Sequence, residues 1–193
     1  MLSPEQRKAK MGAVIRAGSG NFLELYDFLV YAYFANYIAL AFFPSGDELT
    51  RLMVALATYG VASLARPFGA VILGSYMDRK GRRKGLILTL TLMAIGTVSL
   101  AITPTYASIG LLGPAIITLG RLIQGFSLGV EAGGVNVYLA EIATPKNRGF
   151  YCAWQGSSQA LGVMAATGLG VLLTASLTME EMAAFGWRIP LLV

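Results

Sequence analysis

The chain has 193 residues, of which 55% are hydrophobic and 13% charged, and its mean hydropathy is +0.63. Soluble domains carry roughly a quarter charged residues, so the composition argues against a soluble enzyme, a disordered tail or a disulfide scaffold. The single cysteine, Cys152, forms no intrachain disulfide. There is no histidine, which removes His-based catalysis, His-ligated metal and a histidine proton relay, and leaves carboxylates to handle protons.

A membrane helix needs about 20 mostly apolar residues. Five stretches qualify, at 21–43, 52–73, 86–102, 114–138 and 151–175, and a sixth begins at Trp187 and meets the end of the chain at Val193. The N-terminal stretch has basic residues before its apolar run, as a signal peptide does. It is too long for one, carries Glu24 and Asp27, and lacks a small-residue cleavage site; it reads as the first span. Polar links are expected at 44–48, 78–84, 104–114, 141–148 and 178–186. The division expected is a segment at 1–20 followed by the membrane part at 21–193.

Eleven of the 15 Lys and Arg residues fall on one side of these spans: Arg7, Lys8, Lys10 and Arg16 before the first, Arg79 to Lys84 after the second, and Lys146 and Arg148 after the fourth. The positive-inside rule then places the N-terminus in the cytoplasm. The net charge of +5 is accounted for by topology, and no nucleic-acid partner is expected.

Five ionisable residues fall inside the spans: Glu24, Asp27, Arg66, Arg121 and Glu131. At roughly 2.5–3.5 kcal/mol each on insertion scales, they are expected to face one another or a wet cavity. Arg66 is near enough to the inner end to snorkel instead, and Pro67 beside it frees a backbone carbonyl one turn earlier. Glu24, Asp27 and Tyr31 share one helical face on the first span. Gln124, Glu131 and Tyr138 share one on the fourth, with Arg121 a turn before, and Gln155, Ser158, Gln159 and Gly162 share one on the fifth. Such stripes line a solvated path or act as interhelical glue. Gly125, Gly129 and Gly133 recur every four residues, a spacing that lets another helix approach closely.

After the second span come Gly74, Asp78, Gly81, Arg82 and Arg83: glycines for a close approach and a tight turn, and an acid among cations able to act as an ion-pair latch. This resembles the loop motif of the major facilitator superfamily. Arg121, Gln124, Gly125, Phe126, Gly129, Tyr138, Glu141 and Arg148 are similar to the helix 4 signature of its sugar and related transporters. The segment from Gly20 to Phe28 and the run Arg66 to Ala70 resemble the metabolite:proton symporter family, and 121–145, 149–159 and 186–190 look most like that family's citrate and tricarballylate carriers. Asn136 and Gly156 depart from it, standing where serine-like residues are expected.

The resemblance implies an all-α polytopic fold, the N-terminal six-helix half of a major facilitator carrier cut within helix 6, in a bacterial cytoplasmic membrane. It implies proton-coupled symport of citrate or a related tricarboxylate, no cofactor or metal, and a chain that is inactive without a C-terminal half. Substrate contacts are expected from Arg121, Gln124, Tyr31, Asn136, Gln155, Ser158 and Gln159, with Arg121 gripping a carboxylate through paired hydrogen bonds. Proton coupling is expected from Asp27, Glu24 and Glu131. Gating is expected from Gly74, Asp78, Gly81, Arg82, Arg83, Glu141 and Arg148. The rival readings are a carrier of another metabolite (a dicarboxylate, a shikimate-like acid or an osmolyte) and a non-transporting receptor or assembly subunit. An enzyme is not expected, because no nucleophile–base or metal constellation is present.

Overall fold

The computed structural model describes residues 4–43 and 47–192. The side chains of 4–10, 13, 16, 17, 131 and 132 lie outside that description, so Arg7, Lys8, Lys10, Arg16 and the carboxylate of Glu131 are not placed, nor is the 44–46 part of the first link. The helices are α1 (Pro4–Tyr33), α2 (Ala35–Phe42), α3 (Glu48–Lys80), α4 (Arg82–Ile102), α5 (Tyr106–Ile109), α6 (Leu112–Ile142), α7 (Arg148–Ser176) and α8 (Met179–Ala184). A 3-10 turn (Gly186–Arg188) then leads into α9 (Ile189–Leu192), and no strand occurs among the described residues.

Three expectations are corrected. The first span is not straight: α1 and α2 meet at Phe34 with a bend of 67°, and α1 begins 17 residues before the expected apolar start, at Pro4. The bend forms without proline or glycine, and Phe34 is buried at it. The charged link at 78–84 is not a loop. α3 runs to Lys80, α4 starts at Arg82, and Gly81 alone joins them with φ +93, a left-handed value that glycine adopts without a side-chain penalty. The third span therefore gains a basic first turn and reaches 21 residues, enough to cross. The link at 104–114 contains the short helix α5.

α6 is the central helix, packing on α1, α3, α4 and α7. Its contact with α3 depends on absent side chains. A Cβ on Gly125 would lie 1.9 Å from the Ala62 carbonyl oxygen, one on Gly129 2.0 Å from that of Arg66, and one on Gly69 1.8 Å from that of Phe126. Any larger residue pushes the two backbones apart. Gly133 does not continue this seam, since nothing lies within 4 Å of a Cβ there. A second helix pair joins α1 to α7, where a Cβ on Gly162 would meet the Phe22 carbonyl at 2.6 Å.

One apolar core binds α1 and α2 to α7 and the C-terminal segments around the buried Trp187. The Trp187 ring meets Phe42 edge-on at 5.7 Å, the Tyr26 hydroxyl donates to the Pro190 carbonyl at 2.7 Å, and Arg188 donates to the Thr103 carbonyl at 2.9 Å. Outward faces are apolar and uncovered: Leu64, Phe68 and Val71 on α3, and Met164, Val171 and Leu172 on α7, are all exposed. Among the described residues α3, α4 and α7 are each long and apolar enough to cross a membrane, and the bent pair Gly18–Tyr33 and Ala35–Phe42 meets the same length and composition together, making up to four if it crosses as one. Helices satisfy their own backbone groups, so faces of this kind are stable against lipid tails.

Candidate functional site

The helix pairing brings α1, α4 and α6 together at a buried charge. Asp27 on α1 and Arg121 on α6 are only 6% and 4% exposed. Arg121 Nη1 donates to Asp27 Oδ2 at 2.9 Å. Gln124 Nε2, one turn along α6, donates to the same oxygen at 3.0 Å. Thr97 Oγ1 on α4 donates to Oδ1 at 3.0 Å, and accepts from Gln124 Nε2 at 2.7 Å. The carboxylate thus takes donors on both oxygens from two neighbouring helices. A charge out of water is tolerable only when paired and hydrogen-bonded in this way.

Tyr31, one turn beyond Asp27, forms the floor. Its ring centre lies 3.8 Å from Arg121 Cζ, within cation–π range. Its hydroxyl donates to the Ala55 carbonyl at 3.0 Å, and the ring stacks on Tyr59 of α3 at 5.6 Å. The rotamer of Arg121 is set from below by an aromatic face and from one end by Asp27.

Beside this cluster lies a small cavity, with about 20 Å³ of room for a water centre, lined by Glu24, Asp27, Tyr59, Arg66, Arg121 and Gln124 among others. Several buried polar atoms of these residues have no hydrogen-bond partner: Glu24 Oε2, Tyr59 Oη, Arg66 Nε, Arg121 Nε and Nη2, and Gln124 Oε1. The Nε–Nη2 edge of Arg121 is the edge that takes a carboxylate through two parallel hydrogen bonds. Pro67 has no N–H, so the carbonyl of Ser63, also in the lining, loses its usual helical donor.

Four expected residues therefore converge: Asp27, Tyr31, Arg121 and Gln124, with Glu24 in the same lining. The others stand elsewhere. Asn136 is exposed, and 15 residues beyond Arg121 it lies about 22 Å along α6, too far for one small molecule to touch both. Ser158 is buried where α7 meets Gly18 of α1 and donates to the Gln155 carbonyl at 2.8 Å; with Gly162, it belongs to the α1–α7 packing seam. Gln159 is half-buried, and neither it nor Gln155 lines the cavity. Glu131 lies in α6 with its side chain outside the described residues.

Sequence reasoning did not single out Thr97 or Tyr59. A lone threonine in an apolar helix has no signature, and Tyr59 was one aromatic among many. Arg66 was singled out without a role.

At the far end of α3, Arg82 lies between two acids, 3.1 Å from Asp78 and 3.9 Å from Glu141. These contacts join the α3–α4 turn to the end of α6. Gly74 does not mark a forced approach, since a Cβ there would sit 3.7 Å from Val130, an ordinary contact. Arg83 and Arg148 are exposed and form no ion pair among the described residues.

Comparison with known proteins bears on the family and the fold. The family described as "Sugar (and other) transporter" matches residues 13–193. The chain is 50% identical over 184 residues to a citrate-proton symporter of Klebsiella pneumoniae, covering 95% of this chain and 41% of that protein. It is 49% identical over 187 residues to a citrate-proton symporter of Salmonella typhi, covering 97% and 43%, and 36% identical over 191 residues to the alpha-ketoglutarate permease of Escherichia coli, covering 98% and 44%. The chain thus spans under half the length of these relatives. In fold it is similar to a solved structure of the proton:xylose symporter XylE, with TM-score 0.82 at 19% identity, covering 97% of this chain and 43% of that one.

Proposed function

The chain belongs to the sugar (and other) transporter family of the major facilitator superfamily, and from that premise we propose that it forms the N-terminal half of a proton-coupled symporter of citrate or a related tricarboxylate. The observation that carries the mechanism is the buried Asp27 carboxylate held by Arg121, Gln124 and Thr97. Citrate enters the proposal through the two relatives near 50% identity.

In this mechanism Asp27 and Arg121 neutralise each other while the site is empty. Protonation of Asp27 discharges the pair and leaves the guanidinium as an uncompensated cation in a low-dielectric setting. A substrate carboxylate then binds on the unpaired Nε–Nη2 edge, with Gln124 beside it and Tyr31 fixing the cation's plane. Loss of the proton restores the Asp27–Arg121 pair, which bars the anion from rebinding and so makes its release net; with the proton retained, the anion can only exchange. Proton and anion occupancy are thereby linked through one residue. The cavity holds no more than about one water, so the anion site is completed by the other half of the carrier, as in folds whose binding site lies between repeats. Glu131 is retained as a further proton site, and Asn136, Gln155, Ser158 and Gln159 as contacts made at other stages of the cycle.

The N-terminus is assigned to the cytoplasm on the distribution of Lys and Arg. Arg82, with Asp78 and Glu141, then forms an inner latch with Gly74, Gly81, Arg83 and Arg148 around it, opened when the two halves rock. The protein is placed in a bacterial cytoplasmic membrane as a multi-pass carrier.

The test is proton-driven uptake of labelled citrate into proteoliposomes by the full-length carrier that contains this chain, beside its Asp27→Asn variant. Uptake by the parent that depends on an inward proton gradient, with the variant reduced at least tenfold in gradient-driven uptake, is expected. A parent that inserts but ignores citrate removes the substrate assignment. A variant that still responds fully to the gradient removes Asp27 as the coupling residue.

A further inference from the structure

Glu24 has no role in holding Arg121, yet it sits at the same cavity. We propose that Glu24 is the relay through which the proton leaves Asp27, passing across one water held in the cavity, with Arg66 as the charge that positions Glu24. The inference rests on the coupling role of Asp27 proposed above and adds the route.

Four observations carry it. First, Asp27 is 6% exposed and enclosed by donors, so its proton has no direct path to solvent. Glu24 is only half-buried, and three residues earlier on α1 its side chain is a neighbour of Asp27 on the same face. Second, both line one cavity, whose room of about 20 Å³ suits a single water molecule. Third, that water would find partners: Glu24 Oε2, Arg66 Nε, Arg121 Nε and Nη2, Gln124 Oε1 and Tyr59 Oη are all buried without one. Buried polar groups left unpaired are costly, and a water with two to four of them as partners is the ordinary solution. Fourth, Arg66 of α3 lines the cavity together with Glu24 and forms no ion pair within 4.0 Å among the described residues. Its cation therefore biases Glu24 without locking it.

Among the described residues, the charged and titratable groups that share the cavity with Glu24 are Asp27 from α1, Arg66 and Tyr59 from α3, and Arg121 from α6; from α4, Met93 lines it and Thr97 bonds Asp27. The transfer is balanced. The O–H bond of protonated Asp27 breaks as its proton moves to the water, and the water releases one of its own protons to the Glu24 carboxylate. Asp27 is left ionised, Glu24 protonated and the water neutral. Glu24, the less enclosed of the two carboxyls, then gives up the proton and returns to its starting charge.

A relay serves net proton movement and not exchange. In the full-length carrier Glu24→Gln is expected to lower gradient-driven citrate uptake at least tenfold. It should leave counterflow, the exchange of labelled for unlabelled citrate at equal pH on both sides, within about twofold of the parent. Glu24→Asp should recover part of the net uptake. Retained counterflow is also the control for folding and insertion. Unchanged net uptake in Glu24→Gln overturns the relay. So does counterflow lost together with net uptake in both Glu24→Gln and Glu24→Asp, which would make Glu24 a binding or structural residue. The parent's own uptake decides the transport function separately: if the parent fails, the proposed function falls, and if only the variants behave otherwise than stated, the relay falls alone.

Discussion

At Asp27 and Arg121 an oxygen and a nitrogen lie 2.9 Å apart with the two side chains 8% and 4% exposed; at Asp78 and Arg82 they lie 3.1 Å apart with exposures of 65% and 30%. The chemistry is the same and the solvent is not. In the first place each charge is expensive to leave alone, so the pair behaves as a unit whose state depends on whether one partner carries a proton. In the second, water and salt compete with the contact, and either residue can separate at small cost. A buried pair suits a binary response to protonation. An exposed pair suits a contact that must break and reform as two bodies move. The molecule keeps these functions apart, one beside the middle of α3 and the other at its C-terminal end, joined through the α3–α6 glycine seam.

The largest effect should come from breaking the buried pair on one side only. Arg121→Ala leaves the Asp27 charge enclosed without its cation, a change that costs about 3–5 kcal/mol in comparable buried pairs. The full-length carrier should show a much lower midpoint in detergent thermal unfolding and lose citrate uptake. The double variant Asp27→Asn with Arg121→Gln replaces both charges by polar neutral groups and should recover most of that stability while remaining uncoupled. Equal stability of the single and double variants would mean that the pair is not enclosed in the way described.

A smaller effect is expected at the exposed pair. Arg82→Ala removes contacts to both Asp78 and Glu141, yet exposed ion pairs contribute about 0–1 kcal/mol and are screened by salt. Thermal unfolding at low and at 0.5 M salt should differ between parent and variant only at low salt. A loss as large as that of Arg121→Ala would erase the contrast between the two regions. In transport assays the variant should alter the rate more than the coupling to protons.

The site's centre was legible in the sequence because lipid makes charge conspicuous. Asp27, Arg121 and Glu24 are readable from hydropathy alone, and the spacing on α1 places Tyr31 on their face. Thr97 was not legible: its hydroxyl resembles any other in an apolar helix until α4 is placed against α6. The same limit explains the α7 stripe. Gln155, Ser158, Gln159 and Gly162 share a face, but periodicity does not say which neighbour that face meets, and for Ser158 and Gly162 it is the backbone of α1. Gly125 and Gly129 are readable as a packing seam and Gly133 is not distinguishable from them, because the four-residue spacing does not show that Gly133 faces open space while its neighbour Gly134 is the one that meets Met77 of α3. The α3–α4 junction was misjudged as a loop since charge density outweighed helix continuity; one glycine with positive φ suffices for the turn.

The smallest effect concerns a carboxylate that pairs with no cation among the described residues. Glu181, in the first turn of α8, forms a capping box with Thr178: the Thr178 backbone N–H and hydroxyl each donate to Glu181 Oε2 at 2.9 Å, and the Glu181 N–H donates back to Thr178 Oγ1 at 3.3 Å. The backbone donor first, and the hydroxyl second, hold the Glu181 carboxyl below its ordinary value of 4.5. A depressed folded value means that the ionised cap favours the folded state. That contribution is complete above the ordinary value and is lost as pH falls through the lowered folded one. Hydrogen-exchange protection of the 179–184 amides, corrected for intrinsic rates, should therefore be flat from pH 7 down to about 5 and fall below it. Glu181→Gln keeps an acceptor without a charge, so its protection should be slightly lower at pH 7 and insensitive to pH across the same range. A parent and variant that lose protection together on acidification would assign the change to another group. Because the group is fully at the surface, the response should also weaken with salt, which distinguishes it from any proton effect at Asp27.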